Sequence, residues 1–215
     1  MEQQDLTVFQ WPAILMLAGG VLFWVGAFWP PYKQWSTSDT AEYLTIIGRH
    51  KLNWYIIHGS FLLGIMTTVA GIALFAHTLL STGGDGTYAV LGATFFIFGS
   101  VLWIINIAFR ITVTMWAADQ LLSTGTLYDS FNTWKQWSGV LFAVYMILAY
   151  AAIGFFGLAS WDILPNWVRW FTVIFGFAGI VGYCVRFPLF DPPLIIHLPF
   201  MIIGTALLLA MRKLT

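Results

Sequence analysis

Six long apolar runs constrain this chain more than any other feature. Residues 11–29, 53–80, 88–115, 139–160, 167–185 and 194–211 are each dominated by Leu, Ile, Val, Phe, Ala, Gly and Trp. At a rise of about 1.5 Å per residue, roughly 20 such residues cross the ~30 Å hydrocarbon core of a bilayer. The runs are too long for barrel strands and lack the alternation that strands need. Composition agrees: 60% of the chain is hydrophobic and 8% charged, where a soluble domain carries about 25% charged residues. The expected fold is all-α, a polytopic integral membrane protein with a six-transmembrane-helix bundle, forming one membrane domain over residues 1–215. A formal net charge of zero offers no basic surface for nucleic acid.

The punctuation between the runs fits helices. Residues 1–10 have no Lys or Arg, so the first run is expected to be a retained helix, not a secretory signal. Pro12 suits a first helical turn and Pro30-Pro31 stops one. Asp39-Thr40-Ala41-Glu42 has capping-box spacing, and Tyr43, Leu44, Ile46 and Ile47 follow as an apolar stripe. Residues 39–50 are therefore expected to form an amphipathic helix in the interface, with His50 solvated. Residues 81–87 are a glycine-rich turn. The run at 88 is longer than a bilayer needs and is expected to give way to a polar linker over 119–136. Trp116, Trp134 and Trp137 at its margins suit an interfacial belt. The prolines are expected at helix ends, and Cys184 as a packed, inert thiol inside a helix.

Small residues predict close helix contacts. Ser60, Gly64 and Gly71 line one seam, and Gly176, Gly179 and Gly182 recur at three-residue intervals. Such seams let neighbouring helices approach closely.

The polar residues point to one end of the bundle. The turn from Arg186 to His197 holds an arginine, an aspartate, three prolines and a histidine between two apolar runs. Consecutive spans run in opposite directions. The start of span two, the end of span three, the end of span five and the start of span six therefore share a side. Those ends carry His58, Asn106, Arg110, Arg186, Asp191 and His197. Asn106 and Arg110, four apart, share a helix face. Ionisable groups within a span are costly and usually face the bundle interior. His58, Asn106, Arg110, Arg186 and His197 are thus the candidate ligand-binding residues. At matched depth, His58 and His197 would suit the axial positions of a haem b, and the arginines a lipid phosphate or a quinone-like head group. Snorkelling of Arg110, pairing of Arg186 with Asp191 and hydrogen bonds from the histidines to backbone carbonyls would account for the same residues without any ligand.

The positive-inside rule sets the orientation. Lys33, Arg49, Lys51, Lys135 and Arg186 lie on one side, against Arg169, Arg212 and Lys213 on the other. This puts the termini outside a prokaryotic-type cytoplasmic membrane.

No catalytic motif stands out. The chain has no Walker loop, HExxH, GxSxG or Cys/His metal spacing. No acidic residue lies inside a span, as a proton pump would require. The segments AEYLTIIGRHKLNWYIIHGSFLLG (41–64), LPNWVRWFTVIFGFAGIVG (164–182) and PPLIIHLPFMIIGTALL (192–208) resemble uncharacterised bacterial multi-span membrane proteins, a domain-of-unknown-function group. That resemblance implies a six-helix bundle and no particular activity. The expected function is a non-catalytic membrane subunit or binding protein. It would pack against other membrane chains, membrane lipids or a hydrophobic small molecule. The alternatives are a haem b- or quinone-binding redox subunit and a small transporter.

Overall fold

The computed structural model describes residues 6–30, 37–82, 85–161 and 163–212. Pro31, Lys33, Gly83, Gly84, Lys213 and residues 1–5, which figured in the sequence reading, lie outside that set. The described residues form helices α1 (Gln10–Phe28), α2 (Thr40–Arg49), α3 (Lys51–Ser81), α4 (Gly86–Phe109), α5 (Met115–Thr124), α6 (Ser130–Ala159), α7 (Asn166–Cys184) and α8 (Leu194–Arg212). A π-helical segment, Arg110–Thr114, joins α4 to α5. Among the described residues, six helical spans are long and apolar enough to cross a membrane. The six-helix all-α bundle expected from the sequence is therefore the fold.

Local chemistry sets the helix ends. Asp39 caps α2, its carboxylate accepting from the backbone N–H groups of Ala41 and Glu42. Asp85 does the same for α4 through Thr87 and Tyr88. Each cap satisfies donors that the first turn would otherwise leave open. Arg186 closes α7. It adopts φ 57°, Phe187 N–H bonds Gly182 O, and Arg186 N–H bonds Tyr183 O. This is the two-bond C-terminal cap usually built on glycine, and it places a cation at the negative end of the helix.

Close packing around glycines determines the neighbours. α1 pairs with α3, α3 with α4, α4 with α6, α6 with α7, and α8 with α1. A Cβ at Gly64 would meet Phe23 N at 2.7 Å, and one at Gly71 would meet Met16 N at 2.8 Å. Across the α6–α7 contact, a Cβ at Gly176 would lie 2.3 Å from Gly154 N. Both glycine seams are consumed inside the chain. Within the ring sits an aromatic core of Phe23, Phe61, Phe75, Phe96, Trp103, Tyr145, Phe156 and Phe200. The outward faces expose Val21, Leu63, Met66, Phe98, Val140, Ile174 and Val181, an apolar perimeter that suits lipid. Trp116, Trp134 and Trp137 are exposed at one end, and Trp11, Trp161 and Trp167 at the other.

Three expectations are corrected. The polar linker 119–136 is mostly helix: α5 runs to Thr124, ends at Gly125 in the left-handed region, and α6 begins at Ser130. Its polar residues occupy helix ends that extend past the apolar layer, where α5 packs against α2 around Leu44, Ile47, Met115 and Ala118. Lys51 on α3 and Asp119 on α5 form an ion pair there. Pro199 lies inside α8, in its second turn, not at a helix end. Cys184 is exposed, because the last residue of α7 faces outward.

The helices differ in length, and that difference shapes one end. At about 1.5 Å per residue, the 31 residues of α3 and the 30 of α6 reach about 45 Å, and the 39 from Gly86 to Thr124 reach nearly 60 Å. The 19 residues each of α1, α7 and α8 cover only about 28 Å. Tall α3, α4 and α6 therefore stand above short α1 and the α7–α8 turn. That turn folds down onto the bundle. Tyr150 Oη donates to Phe190 O at 3.0 Å, and Trp24 Nε1 donates to Leu194 O at 3.0 Å.

Candidate functional site: a polar step above an apolar cavity

The cluster is built from adjacent turns of α4 and the start of α6. Asn106 is fully buried. Its Nδ2 donates to both Ser138 O and Ser138 Oγ, each at 2.7 Å. Its Oδ1 accepts from Arg110 Nε at 2.8 Å. One amide thus joins two helices and fixes the plane of the guanidinium, whose centre lies 5.5 Å from the Trp103 ring centroid. Arg110 also opens the π segment, and Trp54 on α3 donates its indole N–H to the Arg110 carbonyl at 3.0 Å. Wide turns of this kind recur at functional sites and need side-chain partners for displaced backbone groups.

α2 closes over the cluster. Lys135 Nζ donates to Thr40 Oγ1 at 3.0 Å and sits 5.7 Å from the Tyr43 ring centroid. Burial pushes the Tyr43 phenol above its ordinary range, partly offset by the Arg110 guanidinium, so Tyr43 stays protonated and able to donate.

Two cavities meet at Arg110. The larger, of about 440 Å³, is partly open and mostly apolar, with walls that include Phe61, Trp103 and Phe142. Its floor is the Asp191–Leu194 turn, and Arg110 borders it. It occupies the step left by the short helices. The smaller, of about 190 Å³, lies under α2, and Arg110 and Phe142 line it too.

The sequence-predicted residues fall into three groups. Asn106 and Arg110 join directly. His58 is buried nearby, with Nδ1–H donating to Trp54 O at 2.8 Å. His197 lies apart from it. Its Nδ1 is 3.3 Å from Thr68 Oγ1, and that hydroxyl already donates to Gly64 O. The imidazole is therefore the donor. Thr68 is ten residues beyond His58 on α3, about 15 Å further into the bundle. The matched depth expected of the two histidines is thus not observed. Counting from helix starts placed them level, but α3 begins well above α8. Phe61 sits edge-on to His58, Phe23 stacks on Phe61 at 4.6 Å, and His197 stacks on Phe23 at 4.1 Å. Two phenyl rings separate the imidazoles, which pack as core instead of facing one another across a slot. Arg186 is exposed and serves as the cap of α7, outside both cavities.

Several participants were missed in the sequence: Tyr43, Thr114, Lys135 and Ser138 around the small cavity, and Trp103 and Phe142 around the large one. The unbroken length of the third run was the available signal. At the other end, Arg169 is buried, donates to Trp161 O at 3.0 Å and lies 3.5 Å from the Trp161 ring centroid. Among the described residues, no group of three or more His, Cys, Asp or Glu side chains is placed to hold a metal ion. Compared with known proteins, the chain matches no family model, no curated protein and no solved structure.

Proposed function

We propose that this is a non-catalytic integral membrane protein that binds an amphiphilic small molecule, a membrane lipid in the simplest case. Arg110 at the junction of an apolar and a polar cavity is the observation that carries this reading. The larger cavity falls within the roughly 300–1,000 Å³ of small-molecule sites, which combine apolar walls with a few placed polar groups. The step in helix length supports a place for Arg110 near the boundary between the apolar layer and the head groups, where basic residues engage lipid phosphates. The inward use of the glycine seams leaves them unavailable to other membrane chains and favours a small ligand over a subunit partner. Arg49, Lys51, Lys135 and Arg186 at the cavity end support a cytoplasmic location for it, in a prokaryotic-type membrane.

Photolabelling tests the reading. An alkyl amphiphile with a tail diazirine, incubated with the protein in a neutral detergent, is expected to label peptides containing Trp103, Phe142 or Leu194. Ala27→Phe, which narrows the large cavity, should suppress that labelling. Label confined to the outer lipid-facing surfaces, unchanged by Ala27→Phe, would refute the site.

A further inference from the structure

We infer that the small cavity under α2 is a phosphate site, and that the phosphate is the head group of the amphiphile whose tail occupies the large cavity. This rests on the binding function proposed above and specifies its ligand. The two cavities share Arg110 and Phe142, so one molecule can place a head in one and a chain in the other.

The lining selects the head group. Tyr43, Asn106, Arg110, Thr114, Lys135 and Ser138 supply two cations, three hydroxyls and an amide, with no carboxylate among the described lining residues. One acidic side chain, Asp191, borders the other cavity. Such a set suits an anion, and the number of donors suits three or four oxygens better than two.

The hydroxyls give a second, independent indication. Thr114 is 1% exposed, yet its side chain makes no hydrogen bond among the described residues and lines the cavity. A helical threonine usually donates to the carbonyl four residues back, as Thr112 does to Ala108 O at 2.6 Å. Thr114, at the last position of the same π segment, makes no such bond among the described residues. The Tyr43 hydroxyl likewise makes no hydrogen bond among the described residues. Ser138 Oγ already accepts from Asn106, which leaves its own proton to donate. Three O–H groups and two cations thus border a space of about 190 Å³. Hydroxyls that open onto a cavity with their protons uncommitted can donate to an anion placed there.

The test compares two ligands that differ only by phosphate, a 1-acylglycerol phosphate and the corresponding monoacylglycerol. Binding to the full chain in neutral detergent is measured by native mass spectrometry or titration calorimetry. The phosphate form should bind at least about tenfold tighter, as expected for one charge-assisted contact. Lys135→Gln and the near-isosteric Thr114→Val should each shrink that gap several-fold. Lys135→Arg should retain it. Equal binding of the two ligands, or variants that do not alter the gap, would overturn the phosphate site while leaving the amphiphile reading intact. Failure of both ligands to bind would overturn both. Inorganic phosphate that displaces the phosphate ligand at equal concentration would uphold the phosphate site and make the free anion its occupant.

Discussion

Asn106 on α4 donates twice to Ser138 on α6, to its carbonyl and to its hydroxyl, and in the same pose accepts from Arg110. This buried amide is the tie between the helix that carries the guanidinium and the helix that carries Lys135. Asn106→Leu keeps the volume and removes all three bonds. It should destabilise the protein by about 1–3 kcal/mol, since Ser138 and Arg110 Nε are left to find other partners. Ser138→Ala should cost less, because the carbonyl bond survives. Thermal melts in detergent check both. An Asn106→Leu protein as stable as wild type would remove the amide's structural role.

The glycine contacts predict a sharp contrast between neighbouring positions. At Gly64 and Gly176 an added Cβ runs into the backbone of another helix. Gly64→Ala and Gly176→Ala should each cost about 1–3 kcal/mol. At Gly59 an added Cβ meets nothing within 4 Å, and alanine is the better helix former by up to about 1 kcal/mol. Gly59→Ala should therefore be neutral or stabilising. Melts in which all three variants behave alike would contradict the packing at α1–α3 and α6–α7.

Tyr145 offers an inverse case. Its ring is fully buried and stacks on Trp103 at 5.2 Å, but its hydroxyl has no hydrogen-bond partner among the described residues. Deleting an unsatisfied buried hydroxyl removes a desolvation penalty of about 1–3 kcal/mol. Tyr145→Phe should thus leave stability unchanged or raise it. A loss greater than about 1 kcal/mol would show that the hydroxyl is satisfied, by a buried water for example.

Sidedness follows from helix parity. Ser38, just before α2, and Asp191, in the α7–α8 turn, should lie on the same face of the membrane. Single cysteines at these positions, in a Cys184→Ser background, should react with a membrane-impermeant maleimide from one side only, the cytoplasmic side by the charge count. Reaction from opposite sides would contradict the six-span topology. Reaction of both from outside would reverse the orientation alone.

The fold was legible in the sequence because a bilayer leaves little choice. Apolar length dictates helices, and Asp39 marks a helix start where capping chemistry requires one. The seams at Gly64 and Gly176 were legible for a similar reason, since only small residues permit such contacts. Depth was not. His58 and His197 both sit near helix starts, but helix starts are level only when helices are equal in length, and α3 outreaches α8 by about 18 Å. Arg186 read as a ligand because it is charged beside a turn, whereas its backbone conformation makes it a cap. The site itself was half legible. Asn106 and Arg110 share a face by simple spacing, while Tyr43, Lys135 and Ser138 reach them only through tertiary packing of α2 and α6. The π segment between α4 and α5 leaves no clear trace in composition.

The central claim is that an amphiphile lies across the two cavities with its head at Arg110. Anomalous diffraction tests it most directly, from crystals grown in a lipid mesophase doped with an acylglycerol phosphate brominated near the end of its chain. The bromine peak is predicted inside the large cavity, among Phe61, Trp103 and Leu194. Bromine found only on the outer surface, for example in the groove between Trp167 and Leu209, with the large cavity free of bromine, would contradict the account.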